Sequence, residues 1–283
     1  MTSQLLEQLQ THEEVFRAAG DLARELQGHV AGHLKSNTGN LEADLVTDAD
    51  LAVQRMILKA LVNSPLVSCR LLAEESNPEL AALKADFSPD SRLVLTLDPI
   101  DGTRRYSEGE PYYSVIVGLH DGTRPLYTYL YYPAFRWWIR LVEDQLHTSG
   151  PLPGAEHLPD LSRSIVYTAG HPEQEVPERV AALEQRGYRF DHGEKVAPCG
   201  SKFLLLSGQS AGYYSANPNA YDGLLAWHYG LARKLPVESA GRAPDRTFSG
   251  PFDLSRIESG RWGAHYPGYY LVLPLEGSLS SHS

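Results

Sequence analysis

An apolar run over residues 93–97 leads directly into two carboxylates, Asp98 and Asp101, and then into Gly102 and Thr103. This order predicts a buried β-strand whose end places the two carboxylates at the edge of a sheet. Two carboxylates so close together repel each other, so a fold that keeps both ionised usually places cations between them. Glycine at 102 lets the backbone approach a ligand closely, and the Thr103 hydroxyl can orient a water molecule.

A second apolar run, residues 70–73, ends in Glu74 and Glu75. Two strands that each end in carboxylates indicate a site for hard divalent cations, and such sites most often act on phosphate groups. The alternative for Asp98 and Asp101 is an ordinary turn after a strand, where Asp and Gly are common. The chain contains no Walker loop and no nucleophile elbow, so neither of those phosphate or acyl chemistries is indicated.

The bulk composition limits the classes of protein that this chain can be. Its 283 residues have room for one large domain or two packed halves. With 42% hydrophobic and 21% charged residues it is an ordinary globular chain, which argues against disorder or a fibrous role. The net charge of −10 argues against general nucleic-acid binding, which needs a basic face. Cys69 and Cys199 are far apart, without CxxC or zinc spacing, so neither a disulfide framework nor a zinc site is indicated.

We expect no targeting signal in the first residues of this sequence. They run into a charged helical pattern rather than an apolar signal region. No apolar stretch approaches the roughly 18 to 20 residues of a transmembrane helix. We therefore expect a soluble cytoplasmic protein without a membrane partner.

Periodicity predicts helices packed on a largely antiparallel meander in the first half of the chain. Apolar residues at helical spacing predict one long amphipathic helix over residues 5–26, and a second helix follows at about 49–62. Thr47 or Asp48 could cap this second helix, and Asp50 lies in its first turn, where a carboxylate favours the helix dipole. Asp121 and Gly122 between two apolar runs indicate a hairpin.

The Gly- and Pro-rich segment 148–154 is the best internal boundary, and it divides the chain into halves 1–150 and 151–283. Beyond it, a strand at 164–167, a helix at 177–186, a helix at 200–207, a strand at 212–215 and a helix at 222–233 alternate. This alternation predicts an α/β second half. The aromatic cluster of Tyr127, Tyr129, Tyr131, Tyr132, Trp137 and Trp138 favours sheet packing or a dimer face over a ligand cage. His192 and His228 have no ligand spacing and are expected to be structural or on the surface.

Three motifs together resemble the inositol monophosphatase family of Mg²⁺-dependent, lithium-sensitive phosphatases. They are Glu74-Glu75-Ser76, the run from Asp98 to Thr103, and Tyr221-Asp222 at the start of a predicted late helix. The resemblance runs from residues 44–47 to Asp222. The last motif departs from the family, which usually has Trp before that aspartate and small residues after it.

The resemblance implies an α/β fold of the layered α+β kind, a five-layer αβαβα sandwich of the inositol monophosphatase and fructose-1,6-bisphosphatase type. Its active site would lie between the two halves, with most ligands in the first half and the last aspartate in the second. It also implies a homodimer and two to three Mg²⁺ ions per site. The implied metal ligands are Glu74, Asp98, the Ile100 carbonyl, Asp101 and Asp222, with Asp50 helping to hold a third ion. The implied catalytic residues are Glu74, Thr103, Asp50 and Asp101.

The same resemblance implies a phosphate-binding turn and a substrate pocket. Thr103 would pair with Glu74 to orient the attacking water, and the Gly102 and Thr103 amides would meet the phosphate. The substrate-binding set adds Arg104, Arg105, Gly200, Ser201, Ser215 and Asp222. Three of the implied roles have plain alternatives. Arg104 and Arg105 could lie on a solvated helix face, Gly200-Ser201 could be only a helix cap, and Asp222 could be only an N-cap. Glu75 is expected outside the ligand set or facing solvent, and Lys35 could be a family lysine near the third ion or simply solvated.

The substrate is less defined than the chemistry. A small phosphorylated metabolite is implied, but Ser215 stands where true inositol monophosphatases have a glutamate that contacts the inositol hydroxyls. The alternatives are a 3′(2′),5′-bisphosphate nucleotidase or a fructose-1,6-bisphosphatase activity, with NADP and histidinol phosphate as further substrates. A less favoured reading is a family member that binds metal or phosphate without turnover.

Overall fold

The computed structural model describes residues 2–27, 32–34, 45–168, 170–243, 251–260 and 263–274. Within them it forms helices and strands whose labels follow the chain. The helices are α1 Thr2–Thr11, α2 Glu13–Leu26, α3 Asp48–Leu61, α4 Pro78–Lys84, α5 Thr103–Ser107, α6 Pro172–Glu175, α7 Pro177–Glu184, α8 Gly193–Val196, α9 Gly200–Leu206 and α10 Leu225–Ala232, with 3₁₀ turns at Pro65–Ser68 and Ala155–His157. The predictions about Lys35 and the 44–47 run fall wholly or partly outside these residues.

The first large sheet has six strands in the order β3-β4-β5-β6-β7-β8. Only β3 runs parallel to its neighbour, and the other pairs are antiparallel, which confirms the predicted meander. The hairpin at Asp121 and Gly122 joins β5 to β6, and Gly122 supplies the left-handed φ of +85°. The strands are β3 Arg70–Ala73, β4 Val94–Asp101, β5 Ser114–His120, β6 Pro125–Tyr132, β7 Trp137–Val142 and β8 Gln145–Thr148.

The second large sheet has five strands in the order β10-β9-β11-β15-β12. Its centre is the parallel pair β9 and β11, and β15 joins β11 to β12 by antiparallel pairing. Two short antiparallel pairs, β1 with β2 and β13 with β14, lie outside the large sheets. These strands are β1 Gly32–Leu34, β2 Leu45–Thr47, β9 Leu161–Tyr167, β10 Arg189–His192, β11 Ser210–Ala216, β12 Val237–Gly241, β13 Glu258–Gly260, β14 Gly263–His265 and β15 Gly268–Val272.

Three apolar clusters show how the layers stack. The first packs α1, α2 and α3 against one face of the six-stranded sheet. The second fills the space between the two sheets with side chains of α9 and α10. The third packs α7 on the outer face of the five-stranded sheet. The order helix, sheet, helix, sheet, helix confirms the predicted five-layer αβαβα sandwich.

The aromatic cluster is part of this packing. Five of its six rings are buried, and Tyr129 stacks on the sixth, Trp138, at 6.2 Å between ring centroids. Tyr129 and Tyr131, two residues apart on β6, face the N-terminal helices, and the adjacent Tyr132 faces α9 on the other side of the sheet. The structure therefore supports sheet packing for these residues.

Two predicted helices have different bounds in the structure. The single helix expected over residues 5–26 is wrong, because the chain turns at His12, and α1 and α2 then pack on different elements, the 3₁₀ turn Pro65–Ser68 and α3. The late helix begins at Leu225 rather than at Asp222. Asp222 lies in a tight turn in which the Gly223 amide bonds to the Asn219 carbonyl at 3.0 Å. A Cβ at Gly223 would lie 2.4 Å from that carbonyl oxygen, so the turn requires glycine there.

The two large sheets lie on either side of the predicted boundary. The six-stranded sheet ends at Thr148, and the five-stranded sheet begins at Leu161. The division of the chain into the halves 1–150 and 151–283 stays a prediction.

Candidate metal centre

Parallel pairing of β3 and β4 brings the two acidic strand ends together. The Glu74 amide donates to the Leu97 carbonyl at 3.1 Å, which places Glu74 beside Asp98. Gln54 of α3 holds the next residue from both sides, since its Oε1 accepts from the Glu75 amide at 2.9 Å and its Nε2 donates to the Glu75 carbonyl at 2.7 Å. Lys84 adds a bond to the Glu75 carbonyl at 2.6 Å. Glu75 is 4% exposed, so the expectation that it could face solvent is wrong.

The turn after β4 is built by a bulge and a left-handed glycine. The register of β4 and β5 shifts between Asp98 and Asp101, so both acids reach the same rim of the sheet. Gly102 has φ +87°, and a Cβ there would lie 3.1 Å from the Tyr112 carbonyl oxygen. Thr103 Oγ1 lies 3.0 Å from the Ile100 carbonyl, to which it can donate, and 3.5 Å from Asp50 Oδ1. The predicted catalytic Thr103 and Asp50 are therefore neighbours.

Asp50 is fully buried, whereas Asp48, two residues earlier in α3, is exposed. The side chain of Asp50 thus faces the acidic turn rather than serving only the dipole of its own helix. No contact of Lys35 can be described, because that residue lies outside the described part of the chain.

Three carboxylates from distant parts of the chain converge. Oxygen atoms of Asp98, Asp101 and Asp222 all lie within 4.8 Å of one another. Asp98 is 4% exposed; burial, then the charges of Glu74 and Asp101, raise its pKa well above its usual value. Asp98 also shares a side-chain hydrogen bond with Glu74.

The chemistry of this donor set fits divalent metal. Asp98 Oδ1 and Asp222 Oδ1 are buried oxygens without a hydrogen-bond partner among the described residues. Buried carboxylate oxygens without donors are costly unless they coordinate a cation or take up a proton. Hard cations such as Mg²⁺ prefer oxygen ligands of this kind.

Lys202 is the site residue that the sequence reasoning missed. It comes from α9, and its Nζ lies 2.9 Å from Asp101 Oδ1 and also contacts Asp222 Oδ2. Burial lowers the pKa of Lys202, but the Asp101 charge and its other neighbours more than offset this, and the net pKa is raised. A signal was available, since Lys202 is the one charged residue in the otherwise apolar run that follows Gly200 and Ser201.

Arg104 and Arg105 reach across to the second half of the chain. Both form ion pairs with Glu194 of α8, with 2.7 Å between Arg104 Nη2 and Glu194 Oε2. Arg105 also donates to the Pro198 carbonyl at 2.8 Å, and a Cβ on Gly200 would lie 3.1 Å from its guanidinium. The two arginines therefore join the halves beside the acidic cluster, and the carboxylate of Glu194 offsets part of their charge.

The remaining predicted pocket residues lie on α9 and β11. Ser201 is buried beside Lys202, and its Oγ accepts from Thr168 Oγ1 at 2.9 Å. The Ser215 hydroxyl bonds to Tyr270, whose own hydroxyl donates to the Gly223 carbonyl at 2.5 Å. Ser215 is thus linked to the turn that carries Asp222. Contact of these residues with substrate stays a prediction.

A family model described as the inositol monophosphatase family matches residues 5–223, a span that contains every carboxylate of the centre. The chain belongs to the inositol monophosphatase family. The resemblance drawn from the three motifs is confirmed, and the family is one of phosphomonoester hydrolases.

Individual relatives of this inositol monophosphatase family member differ in how much of the chain they cover. The probable inositol 1-monophosphatase ImpA of Mycobacterium tuberculosis is 37% identical over 98 residues, which is 34% of this chain and about a third (32%) of that protein. Inositol monophosphatase 1 of Bos taurus is 26% identical over 255 residues, 83% of this chain and 82% of its own length. Among solved structures, an IMPase of Thermotoga maritima has a TM-score of 0.58 at 17% identity, over 94% of this chain and 92% of that one. This likeness shows that the fold is shared.

Among the residues that the structure describes, no helix combines the length and the apolarity required to cross a bilayer.

Proposed function

We propose that this chain is a Mg²⁺-dependent phosphomonoesterase that hydrolyses a small phosphorylated metabolite. The observation that carries the proposal is the convergence of Asp98, Asp101 and Asp222, two of which present buried oxygens without a hydrogen-bond partner in the described part of the chain. Family membership supports the reaction class. Uncatalysed phosphomonoester hydrolysis is so slow that enzymes accelerate it by up to ~10²¹-fold, which demands strong electrostatic help.

The residues suit two cation positions and a third, weaker one. Glu74, Asp98 and the Ile100 carbonyl would hold the first ion, and Asp98, Asp101 and Asp222 would hold the second. Asp50 would help to hold the third. When bound, the cations would stabilise charge on the phosphoryl oxygens and lower the pKa of a water molecule.

Protein groups would orient the water and the phosphate. The Thr103 hydroxyl donates its one hydrogen bond to the Ile100 carbonyl or to Asp50. The lone pairs of the Thr103 oxygen therefore remain available to accept a hydrogen bond from a water molecule. Glu74, hydrogen-bonded to Asp98, would accept a proton from the same water. The amides of Gly102 and Thr103 would donate to the phosphate at the start of α5.

The decisive experiment is phosphate release from a substrate panel with Mg²⁺, with and without EDTA. The panel holds inositol 1-phosphate, fructose 1,6-bisphosphate, 3′-phosphoadenosine 5′-phosphate, NADP and histidinol phosphate. Asp98→Asn and Asp101→Asn should each lower kcat roughly a hundredfold or more, as removal of a key electrostatic group does in other enzymes. Circular dichroism should show an intact fold. Full activity in either variant, or activity that EDTA leaves untouched, would overturn the proposal.

A bisphosphate substrate is the second candidate, and the arginines beside the cluster favour it. Arg104 is partly exposed and could meet a second anionic group, while Ser215 cannot replace the inositol-binding glutamate. Arg104→Gln should raise KM several-fold for substrates with two phosphate groups and leave KM for inositol 1-phosphate nearly unchanged. Arg233→Gln, an exposed arginine on a distant helix end, is the matched control. An equal change for both substrate types would remove Arg104 from the substrate site.

Three further properties follow from the same proposal. We expect Li⁺ to inhibit, a homodimer in solution, and a cytoplasmic location, since Cys69 and Cys199 are free and buried. Unchanged activity at high Li⁺, or light scattering that gives the mass of one chain, would contradict the first two. A non-catalytic role is less favoured because every implied metal carboxylate is present, and saturable phosphate-ester binding without release would favour it.

A further inference from the structure

The ammonium group of Lys202 lies inside the acidic cluster rather than beside it. Its Nζ contacts Asp101 and Asp222, which are two of the three carboxylates assigned to the second Mg²⁺. The side chain is 16% exposed, so it is largely enclosed by the cluster. A lysine ammonium is a compact cation with three donors, and it satisfies carboxylate oxygens much as a metal ion does.

The local structure aims this side chain. Lys202 lies in the first turn of α9, where its neighbours Phe203, Leu204 and Leu205 are buried between the two sheets. Ser201, the preceding residue, is held by the Thr168 hydroxyl. Because this packing fixes the helix backbone, the four-carbon stem of Lys202 points into the cluster. The side chain is still partly exposed, so its ammonium group can move toward solvent when a metal ion binds.

We propose that Lys202 is a built-in cation that occupies the second metal position, so that metal binds there only by displacing it. Two positive charges cannot share the oxygens of Asp101 and Asp222 without strong repulsion. The first position, at Glu74 and Asp98, has no such contact with Lys202 among the described ion pairs. The protein therefore binds divalent cations in two steps of unequal affinity, and Lys202 is a positioning residue that sets the weaker step. This inference rests on the proposed metal centre.

The test is direct titration of metal-free, full-length protein with Mn²⁺, followed by electron paramagnetic resonance of the free ion. Lys202→Met keeps an unbranched side chain, one atom shorter, and removes the charge. It should tighten the weaker site at least tenfold, about 1.4 kcal/mol. The tighter site should change far less, because Lys202 acts on Asp98 through its charge but forms no ion pair with Asp98 among the described residues. Lys195→Met removes the same charge from an exposed position in α8 and should leave both sites as in the wild type.

Thermal unfolding separates this role from simple packing. Without metal, Lys202→Met should melt below the wild type, because Asp101 and Asp222 then lose their contacting cation. At saturating Mn²⁺ the difference should vanish or reverse. A gap of the same size in both conditions would mean that Lys202 serves only the fold and would overturn the proposal.

The remaining outcomes are distinguishable. Equal Mn²⁺ affinities in Lys202→Met and wild type would overturn the role of Lys202 and leave the metal centre standing. No binding by either protein would overturn the metal centre and the proposed function with it. Should Lys202→Met fail to fold without metal, the test is an NMR titration of the wild type with Mg²⁺ after its lysines have been ¹³C-dimethylated. Its Lys202 resonance, identified by its absence in Lys202→Arg, should shift only as Mg²⁺ fills the weaker site, and no shift would overturn the proposal.

Discussion

Gly102 is the residue on which the acidic turn depends most directly. Its left-handed φ of +87° lets the chain reverse between Asp101 and Thr103, and the Tyr112 carbonyl lies where a Cβ would be. Residues with a Cβ rarely adopt a φ in this region, whereas glycine, which has no Cβ, adopts it without a clash. One residue thus sets the position of the proposed metal ligand Asp101 on one side and of the proposed catalytic hydroxyl of Thr103 on the other.

Gly102→Ala should destabilise the protein by roughly 1–2 kcal/mol, because it adds backbone strain and a close contact to the carbonyl. The same change should lower phosphatase activity. Urea unfolding followed by circular dichroism gives the free energy. Gly109→Ala is the matched control, since Gly109 has φ +81° and nothing within 4 Å of its Cβ position. Equal losses at both positions would show that the Tyr112 contact contributes nothing.

At the scale of elements, α10 is joined to the six-stranded sheet by a buried histidine. His228 Nε2 lies 2.9 Å from the Glu143 carbonyl, so it donates there, and Nδ1 accepts from Thr128 Oγ1 at 2.8 Å. Burial lowers the pKa of His228 to about 4. The histidine is therefore structural and neutral, as its lack of ligand spacing predicted.

This histidine makes stability depend on pH. The unfolded chain protonates His228 near pH 6.5, while the folded chain resists protonation down to about 4, so its contribution is full above pH 6.5 and is lost as the pH falls toward 4. When the pH falls from 7.5 to 5, the free energy of unfolding should drop in both proteins. The drop should be about 2 kcal/mol smaller in His228→Gln than in the wild type. Urea titrations at both pH values measure the difference. His157→Gln, at an 82% exposed position, should behave as the wild type, and a matching slope for His228→Gln would contradict the assignment.

The elements also show where sequence reasoning succeeds and where it fails. The strand β4, the largely antiparallel meander and the hairpin at Gly122 follow from local apolar runs and turn residues, and the structure confirms all three. The helix errors at His12 and Asp222 have another origin, because packing on the 3₁₀ turn and the needs of the Asn219–Leu224 turn override helical periodicity. The five-layer order followed from the family resemblance and not from periodicity.

Across the whole molecule, Glu194 ties the two halves together beside the site. Its carboxylate pairs with Arg104 and Arg105, and the side chains of Glu194 and Arg105 are only 20% and 13% exposed. Partial burial makes such a pair costly to break, because removing one partner leaves the other charge poorly solvated. The ion pairs therefore hold α5 and α8 in a fixed position relative to each other.

Glu194→Gln should lower the free energy of unfolding by about 1–3 kcal/mol, between the values for exposed and buried pairs. It should also free the arginines and so lower KM for bisphosphate substrates relative to monophosphates. Thermal unfolding and steady-state kinetics measure the two effects. Glu156→Gln, at a 67% exposed position, is the control. Unchanged stability would mean that the ion pairs contribute nothing to joining the halves.

The local pattern of this chain determined the acidic strand ends, the left-handed turn and the family. Glu74, Asp98 and Asp101 lie at or near the ends of β3 and β4, and Thr103 begins α5, so all four lie within about 30 residues of one another along the chain. Only the tertiary structure decided that Lys202 enters the cluster, 101 residues from Asp101 along the chain and 20 from Asp222. Sequence spacing carries no information about such a meeting, because α9 reaches the six-stranded sheet through long-range burial of apolar side chains between the two sheets.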